Sequence, residues 1–197
     1  MKKSKTGAIQ FEGAGDIPLM PVSQGNMTFN PTGTWKYIEP YYQDRTPPCN
    51  ADCPTGQDIV IQLALCAERR FDEALAILRM ANPFPAVTGR VCPHPCESRC
   101  NRETLGGVLS IRTIERFLGD YGIDAKLHYR PEEKRKERVA VVGSGPAGLA
   151  CAFYLGLKGY AATVYEALGV IGGLLATGIP EFRLPRKILN DEIKIFE

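Results

Sequence analysis

The stretch RVAVVGSGPAGLACAFYLGLKGYAATVYEALGVIGG, residues 138–173, constrains the fold more than any other part of the chain. Arg138 to Val142 is an apolar run of strand length, Gly143, Gly145 and Gly148 follow at GxGxxG spacing, and Pro146 to Lys158 reads as a helix. Each part of that order answers a steric need. Gly143 permits a tight turn out of the strand, Gly145 lets backbone N–H groups approach a pyrophosphate, and Gly148 lets helix and strand pack closely. The helix N-terminus adds a positive pole for the phosphates. A second β-rich run, Ala161 to Tyr165, ends at Glu166, where the fingerprint needs an acceptor for a ribose hydroxyl. An acid there favours an unphosphorylated ribose. GxGxxG alone can be a merely structural turn, but strand, loop, helix, strand and terminal acid agree, and together they predict dinucleotide binding.

Shortly after the acid come Gly172 and Gly173, within GVIGGLLATGIPEFRLP, residues 169–185. A second glycine pair permits another close backbone approach to an extended cofactor.

Five of the seven cysteines fall in two proline-marked loops, Cys49 and Cys53 in PPCNADCPTG and Cys92, Cys96 and Cys100 in GRVCPHPCESRC. Proline after a ligand keeps a loop irregular and leaves the other N–H groups free to bond cluster sulfurs. Between the loops, Thr55 with Asp58 at the capping-box position opens a helix over Ile59 to Arg69. A second helix runs from Phe71 to Met80, with Ala74, Leu75 and Leu78 on one face. This pair would bring the loops together. Thiolates from two distant loops, with three residues between neighbours, suit a [4Fe–4S] cube better than zinc, whose paired ligands are usually closer in sequence; unligated thiols are the remaining alternative. Cys66 and Cys151 lie in predicted helices and are expected to be core residues. His94, between two cysteines, is expected to be solvated or to support a ligand, and His128 has no constellation around it.

The two glycine motifs, the acid and the cysteine loops resemble those of the family that includes the small subunit of NADPH-dependent glutamate synthase and the matching part of dihydropyrimidine dehydrogenase, over roughly Pro48 to Glu197. The resemblance implies an α-helical iron–sulfur domain followed by the first half of an α/β Rossmann-like FAD-binding domain. It implies FAD at Gly143, Gly145, Pro146, Ala147, Gly148, Glu166, Gly172, Gly173 and Leu174. Two clusters are implied in relatives, one of them using a further CxxC upstream, but the matching positions here are Tyr41 and Asp44. The cluster that would use Cys49 and Cys100 therefore lacks two ligands and is expected to be absent. The other set maps onto Cys53, Cys92 and Cys96, with a fourth, non-cysteine ligand at Glu115. Glu115 could instead be a solvent-facing helix acid, with Cys49 or Cys100 completing an all-cysteine site. The implied route runs from NAD(P)H to FAD, to the cluster, and on to a catalytic or electron-accepting oxidoreductase subunit.

Met1 to about Tyr42 is broken by glycines and prolines and shows no sustained period. Phe11, Phe29, Trp35 and Tyr37 favour a docked extended arm over a disordered tail. The organisation expected is an arm over 1–42, a helical cluster-binding domain over 43–130 and a partial Rossmann-like domain over 131–197. Ser110 opens a helix through Gly119 with Ile114, Phe117 and Leu118 buried, and YRPEEKRK, residues 129–136, is a solvated linker. The final helix is expected over Lys187 to Glu197. Only one dinucleotide fingerprint is present, and relatives continue with an NAD(P)H-binding domain. The chain is thus expected to be a fragment, a truncated form, or a subunit completed by another polypeptide.

Composition excludes other classes. A formal net charge of +2 gives no electrostatic case for nucleic acid or a membrane surface. No apolar run reaches membrane-spanning length, and no apolar segment follows the initial lysines, so a cytoplasmic location is expected. Seven cysteines there argue for metal or redox use rather than disulfides. No Ser/His/Asp set, paired catalytic carboxylates or P-loop lysine is evident. A non-flavin iron–sulfur docking module of a larger redox complex is the alternative function, and a zinc-stapled scaffold a weaker third.

Overall fold

The structure is a computed structural model that describes residues 2–3, 9–10, 45–128 and 133–195. Two compact units are separated between Asp44 and Arg45. In the first, strands β1 (Lys2–Lys3) and β2 (Ile9–Gln10) pair antiparallel. The rest of the expected arm, with Tyr41 and Asp44, lies outside the described residues.

The second unit opens with α1 (Pro48–Ala51), α2 (Ile59–Ala67) and α3 (Phe71–Ala81). The cap of α2 is Asp58, whose carboxylate accepts the Ile61 N–H at 3.3 Å. Thr55 does not cap it; its hydroxyl instead lies 3.3 Å from Cys53 Sγ. Ala74, Leu75 and Leu78 form the buried stripe of α3, as their spacing predicts, and pack with Leu65 and Leu118. Each fully buried leucine stabilises the fold by about 1.5–3 kcal/mol.

Next come α4 (Pro85–Val91) and α5 (Pro95–Ser98), then α6 (Ile111–Asp124). Ser110 precedes α6 but makes no side-chain cap bond. Phe117 is exposed, not buried as expected, and meets the Phe71 ring edge-on at 5.1 Å; the buried face of α6 is instead Ile111, Glu115, Leu118, Gly119 and Gly122. Helices α4 and α6 touch backbone to backbone. A Cβ on Gly89 would lie 2.5 Å from Arg116 Cα, and one on Gly119 would lie 2.2 Å from Ala86 N.

Strands β3 (Arg138–Val142) and β4 (Ala161–Tyr165) pair parallel, Arg138 opposite Ala161 and Val142 opposite Tyr165, joined by α7 (Pro146–Leu157). Short α8 (Leu174–Thr177) and α9 (Arg186–Lys194) follow. The helical and Rossmann-like parts share one core, in which Phe84 and Val87 pack with Leu149, Leu184, Leu189 and Ile193. Cys66 packs against the helical core, whereas Cys151 is exposed on α7, contrary to the expected core position.

Candidate cluster and dinucleotide sites

Helices α1 and α5 pack together and bring the two cysteine loops side by side. Cys96 is buried with Ile59 and Ile111, and Cys49 and Cys53 border that apolar cluster. Burial, followed by the nearby Cys53, Glu97 and Cys92, pushes the Cys96 thiol up to about 11. Burial also raises Cys49, with Cys100 among the charges acting on it. Cys53 and Cys92 are thus near enough to act on Cys96, and Cys100 on Cys49. Thiolates crowded into an apolar pocket repel one another, and bound iron relieves that repulsion. Donors to sulfur are in place: the His94 N–H donates to Cys92 Sγ at 3.3 Å, and the Thr55 hydroxyl lies at Cys53. Among the described residues no three Cys, His, Asp or Glu side chains converge on a single-ion site. Thiols from two loops, half-buried or buried and with donors beside two of the sulfurs, fit a cluster.

The His94 ring is 3.3 Å from Cys92 O and 3.7 Å from Glu97, which accounts for it without a role as ligand. The His128 ring lies 3.2 Å from Ile195 O.

Glu115 is buried, at 6% exposure, which excludes the solvent-facing alternative. Its Oε1 accepts from Asn82 Nδ2 at 2.7 Å and is hydrogen-bonded to the Thr88 hydroxyl. Burial raises its carboxyl above the usual range, while bonds from Thr88, Gln57 and Asn82 pull it down.

At the other site, Gly143 has φ +96° and turns the chain from β3 into the N-terminus of α7. A Cβ on Gly148 would meet Gly143 O at 2.0 Å, so only glycine fits there, whereas one on Gly145 would meet nothing within 4 Å. Gly145 therefore leaves the helix N-terminus, with Pro146 and Ala147 in its first turn, open to an approaching group. Gly172 (φ +113°) and Gly173 (φ +52°) need left-handed backbone, and a Cβ on Gly173 would lie 2.9 Å from Gly145 Cα. The second glycine pair thus packs against the first loop. Leu174, at the start of α8, is 74% exposed beside it.

Glu166 ends β4 and turns back onto the glycine loop. Its Oε2 accepts from Ser144 N–H at 2.8 Å and from Ser144 Oγ at 2.5 Å, and its Oε1 from Leu168 N–H at 2.9 Å. The Ser144 hydroxyl bond leads the effects that hold this carboxyl down at about 2.

Residues 42–127 match the family model described as dihydropyrimidine dehydrogenase domain II, 4Fe-4S cluster. Residues 141–187 match an NAD(P)-binding Rossmann-like domain. The chain is 43% identical over 169 residues to the NADPH-Fe(3+) oxidoreductase subunit beta of Geobacter sulfurreducens, covering 84% of this chain and 25% of that protein. It is 39% identical over 172 residues to the NADP(+)-dependent formate dehydrogenase subunit beta of Moorella thermoacetica, covering 76% and 24%. Against the glutamate synthase [NADPH] small chain of Escherichia coli it is 36% identical over 156 residues, covering 76% and 33%. The chain resembles the N-terminal part of the glutamate synthase small-subunit family. It spans a third or less of these three relatives.

Along this chain a match to a 4Fe–4S domain and one to a Rossmann-like domain follow one another, in the order expected from the cysteine loops and GxGxxG. Two contributors escaped the sequence reading. Asn82, which closes α3, bonds both Thr88 and Glu115, and Ser144 occupies a variable position of GxGxxG. The NPFP run, residues 82–85, was the available signal for the first; nothing local marked the second. No helix among the described residues is long and apolar enough to cross a membrane.

Proposed function

We propose that this chain is the electron-transfer part of an NAD(P)H-linked iron–sulfur flavoprotein oxidoreductase. Cys53, Cys92 and Cys96 would hold a [4Fe–4S] cluster, with Glu115, Cys49 or Cys100 as fourth ligand. Gly143, Gly145, Pro146, Ala147, Gly148, Glu166, Gly172, Gly173 and Leu174 would hold FAD. The burial of Cys96 in an apolar cluster that Cys53 and Cys49 border carries the reading. When bound, flavin and cluster together let a two-electron hydride donor serve a one-electron acceptor. The residues would have separate tasks: the thiols, with the His94 N–H and the Thr55 hydroxyl beside two of them, would seat the cluster, the open N-terminus of α7 would bind phosphate, and Glu166 would accept from ribose. The carboxylate favours FAD or NADH over NADPH at this position, and the second glycine pair fits the longer flavin cofactor. We assign the arm to 1–42, the cluster-binding part to 43–130 and the flavin part to 131–197. NAD(P)H would bind a further domain, and the partner would be a catalytic or electron-accepting oxidoreductase subunit, in the cytoplasm.

Anaerobically purified protein is expected to contain iron and sulfide at a ratio of about one and to release FAD on denaturation. Cys96→Ser should lose most of the iron. Colourless protein without iron or adenine cofactor would overturn the assignment, and iron without FAD would favour the alternative, a non-flavin docking module. The fourth ligand is tested separately. Glu115→Ala is expected to change the EPR signal or potential of the cluster, with Cys49→Ser and Cys100→Ser leaving them unaltered. An unchanged Glu115→Ala spectrum with a changed Cys49→Ser or Cys100→Ser spectrum would move the assignment to that cysteine.

A further inference from the structure

Ser144 lies fully buried in the glycine loop. Its bonding explains a serine there. The hydroxyl donates to Glu166 Oε2 at 2.5 Å and accepts the Gly172 N–H at 3.1 Å; the Ser144 carbonyl accepts the same N–H, also at 3.1 Å. The Ser144 N–H makes a second bond to Glu166 Oε2, at 2.8 Å. One side chain therefore ties together the three segments of the dinucleotide site: the GxGxxG loop, the acid that ends β4 and the second glycine pair.

These bonds also set what Glu166 can do. Two donors from Ser144 hold Oε2, whereas Oε1 takes the Leu168 N–H at 2.9 Å, and the Ala167 N–H adds a smaller pull on the carboxylate. The carboxylate is kept ionised and turned so that Oε1 is the oxygen available to a ligand. An ionised acceptor takes bonds from ribose hydroxyls and repels a 2′-phosphate, which brings negative charge and no donor.

We propose that Ser144 is a positioning residue for ribose selection: it orients Glu166 and thereby makes the site accept an adenosine ribose with free hydroxyls and reject a 2′-phosphorylated one. This rests on the dinucleotide reading of the proposed function and adds to it the residue that enforces the sugar preference. A hydroxyl bond to a charged group changes binding by about tenfold or more, and a carboxylate released from Ser144 Oγ is free to turn away from the ribose.

The test is calorimetric titration of the purified chain and its Ser144→Ala variant with ADP, 2′,5′-ADP and inorganic pyrophosphate. The unaltered chain should prefer ADP to 2′,5′-ADP. Ser144→Ala should weaken ADP about tenfold, leave pyrophosphate unchanged and shrink the preference between the two adenosines. Carbon-13 NMR of the Glu166 carboxyl should show its titration moved upward from about 2 in Ser144→Ala, because the leading downward influence is gone. Equal loss of all three ligands would reduce Ser144 to a structural part of the loop and overturn the proposal, as would an unchanged preference. If the unaltered chain binds neither adenosine ligand, the dinucleotide reading itself fails, a result distinct from either of those.

Discussion

Glu192→Ala is expected to destabilise the chain by about 3 kcal/mol or more, since it strips two buried N–H groups of their acceptor. Glu192 lies on α9 at 0% exposure, and its two carboxylate oxygens accept the N–H groups of Ala86 and Val87 at 2.7 and 2.9 Å. Those N–H groups belong to the first turn of α4, where no intrahelical acceptor exists. Phe84, at the N-cap of α4, supplies no side-chain bond, so the cap comes from a residue more than a hundred positions away. The same contact fastens the Rossmann-like part to the helix that ends at Cys92. Urea unfolding followed by circular dichroism measures the loss. A cost below about 1 kcal/mol would show that water or a rearranged side chain replaces the cap.

The pH dependence of this contact has a definite sign. Burial pushes the Glu192 carboxyl up to about 8, against the pull of the Ala86 and Val87 N–H groups and of Arg79 and Arg90, from an ordinary 4.5. A proton bound more tightly in the folded chain favours folding at low pH. The contribution is therefore fully present below 4.5 and is lost as pH rises through about 8. Stability measured across that window should fall with pH, and Glu192→Gln, which cannot ionise, should flatten the fall. An identical slope in Glu192→Gln would assign the pH dependence to another group.

Gly119→Ala should be the second severe substitution. Its added methyl would sit 2.2 Å from Ala86 N and 2.5 Å from Ala86 Cα, both backbone atoms of α4 that cannot rotate away. Overpacking of this kind costs about 1–3 kcal/mol, occasionally more, and exceeds the roughly 1 kcal/mol that alanine adds in helix propensity. A net loss of up to about 2 kcal/mol is expected. Because α4 runs directly into Cys92, displacing it should also lower the iron content of the purified protein. Gly156→Ala provides the control, since a Cβ there meets nothing within 4 Å in α7, and it should be neutral or stabilising by about 0.5 kcal/mol. Similar stability of the two variants would mean that α4 and α6 can separate without cost.

What could be read from the chain alone followed from needs met within a few residues. Gly143 and Gly148 are dictated by a turn and a close packing between neighbours in sequence, and β3, α7 and β4 lie close to where the strand, helix and strand signals put them. The stripe of Ala74, Leu75 and Leu78 located α3 because burial on one face of a helix imposes its own period. The cysteine loops were legible for a similar reason: their regular spacing is local, and it lies within the residues that match a 4Fe–4S domain.

Tertiary structure decided the rest. The segment PAVTGRV, with a proline, a glycine and two valines in seven residues, has weak intrinsic helix propensity, and α4 forms from it on packing against α6 and capping by Glu192. Glu115, which by itself could be a surface acid or the ligand implied by the resemblance, is buried because Asn82 and Thr88, on other elements, close around it. Phe117 and Cys151 fit an apolar helix face by type, but the packing turned each outward. In each case the deciding partner lies far along the chain, and no local propensity or period carries information about a hydrogen bond or a contact that exists only once the chain has closed on itself.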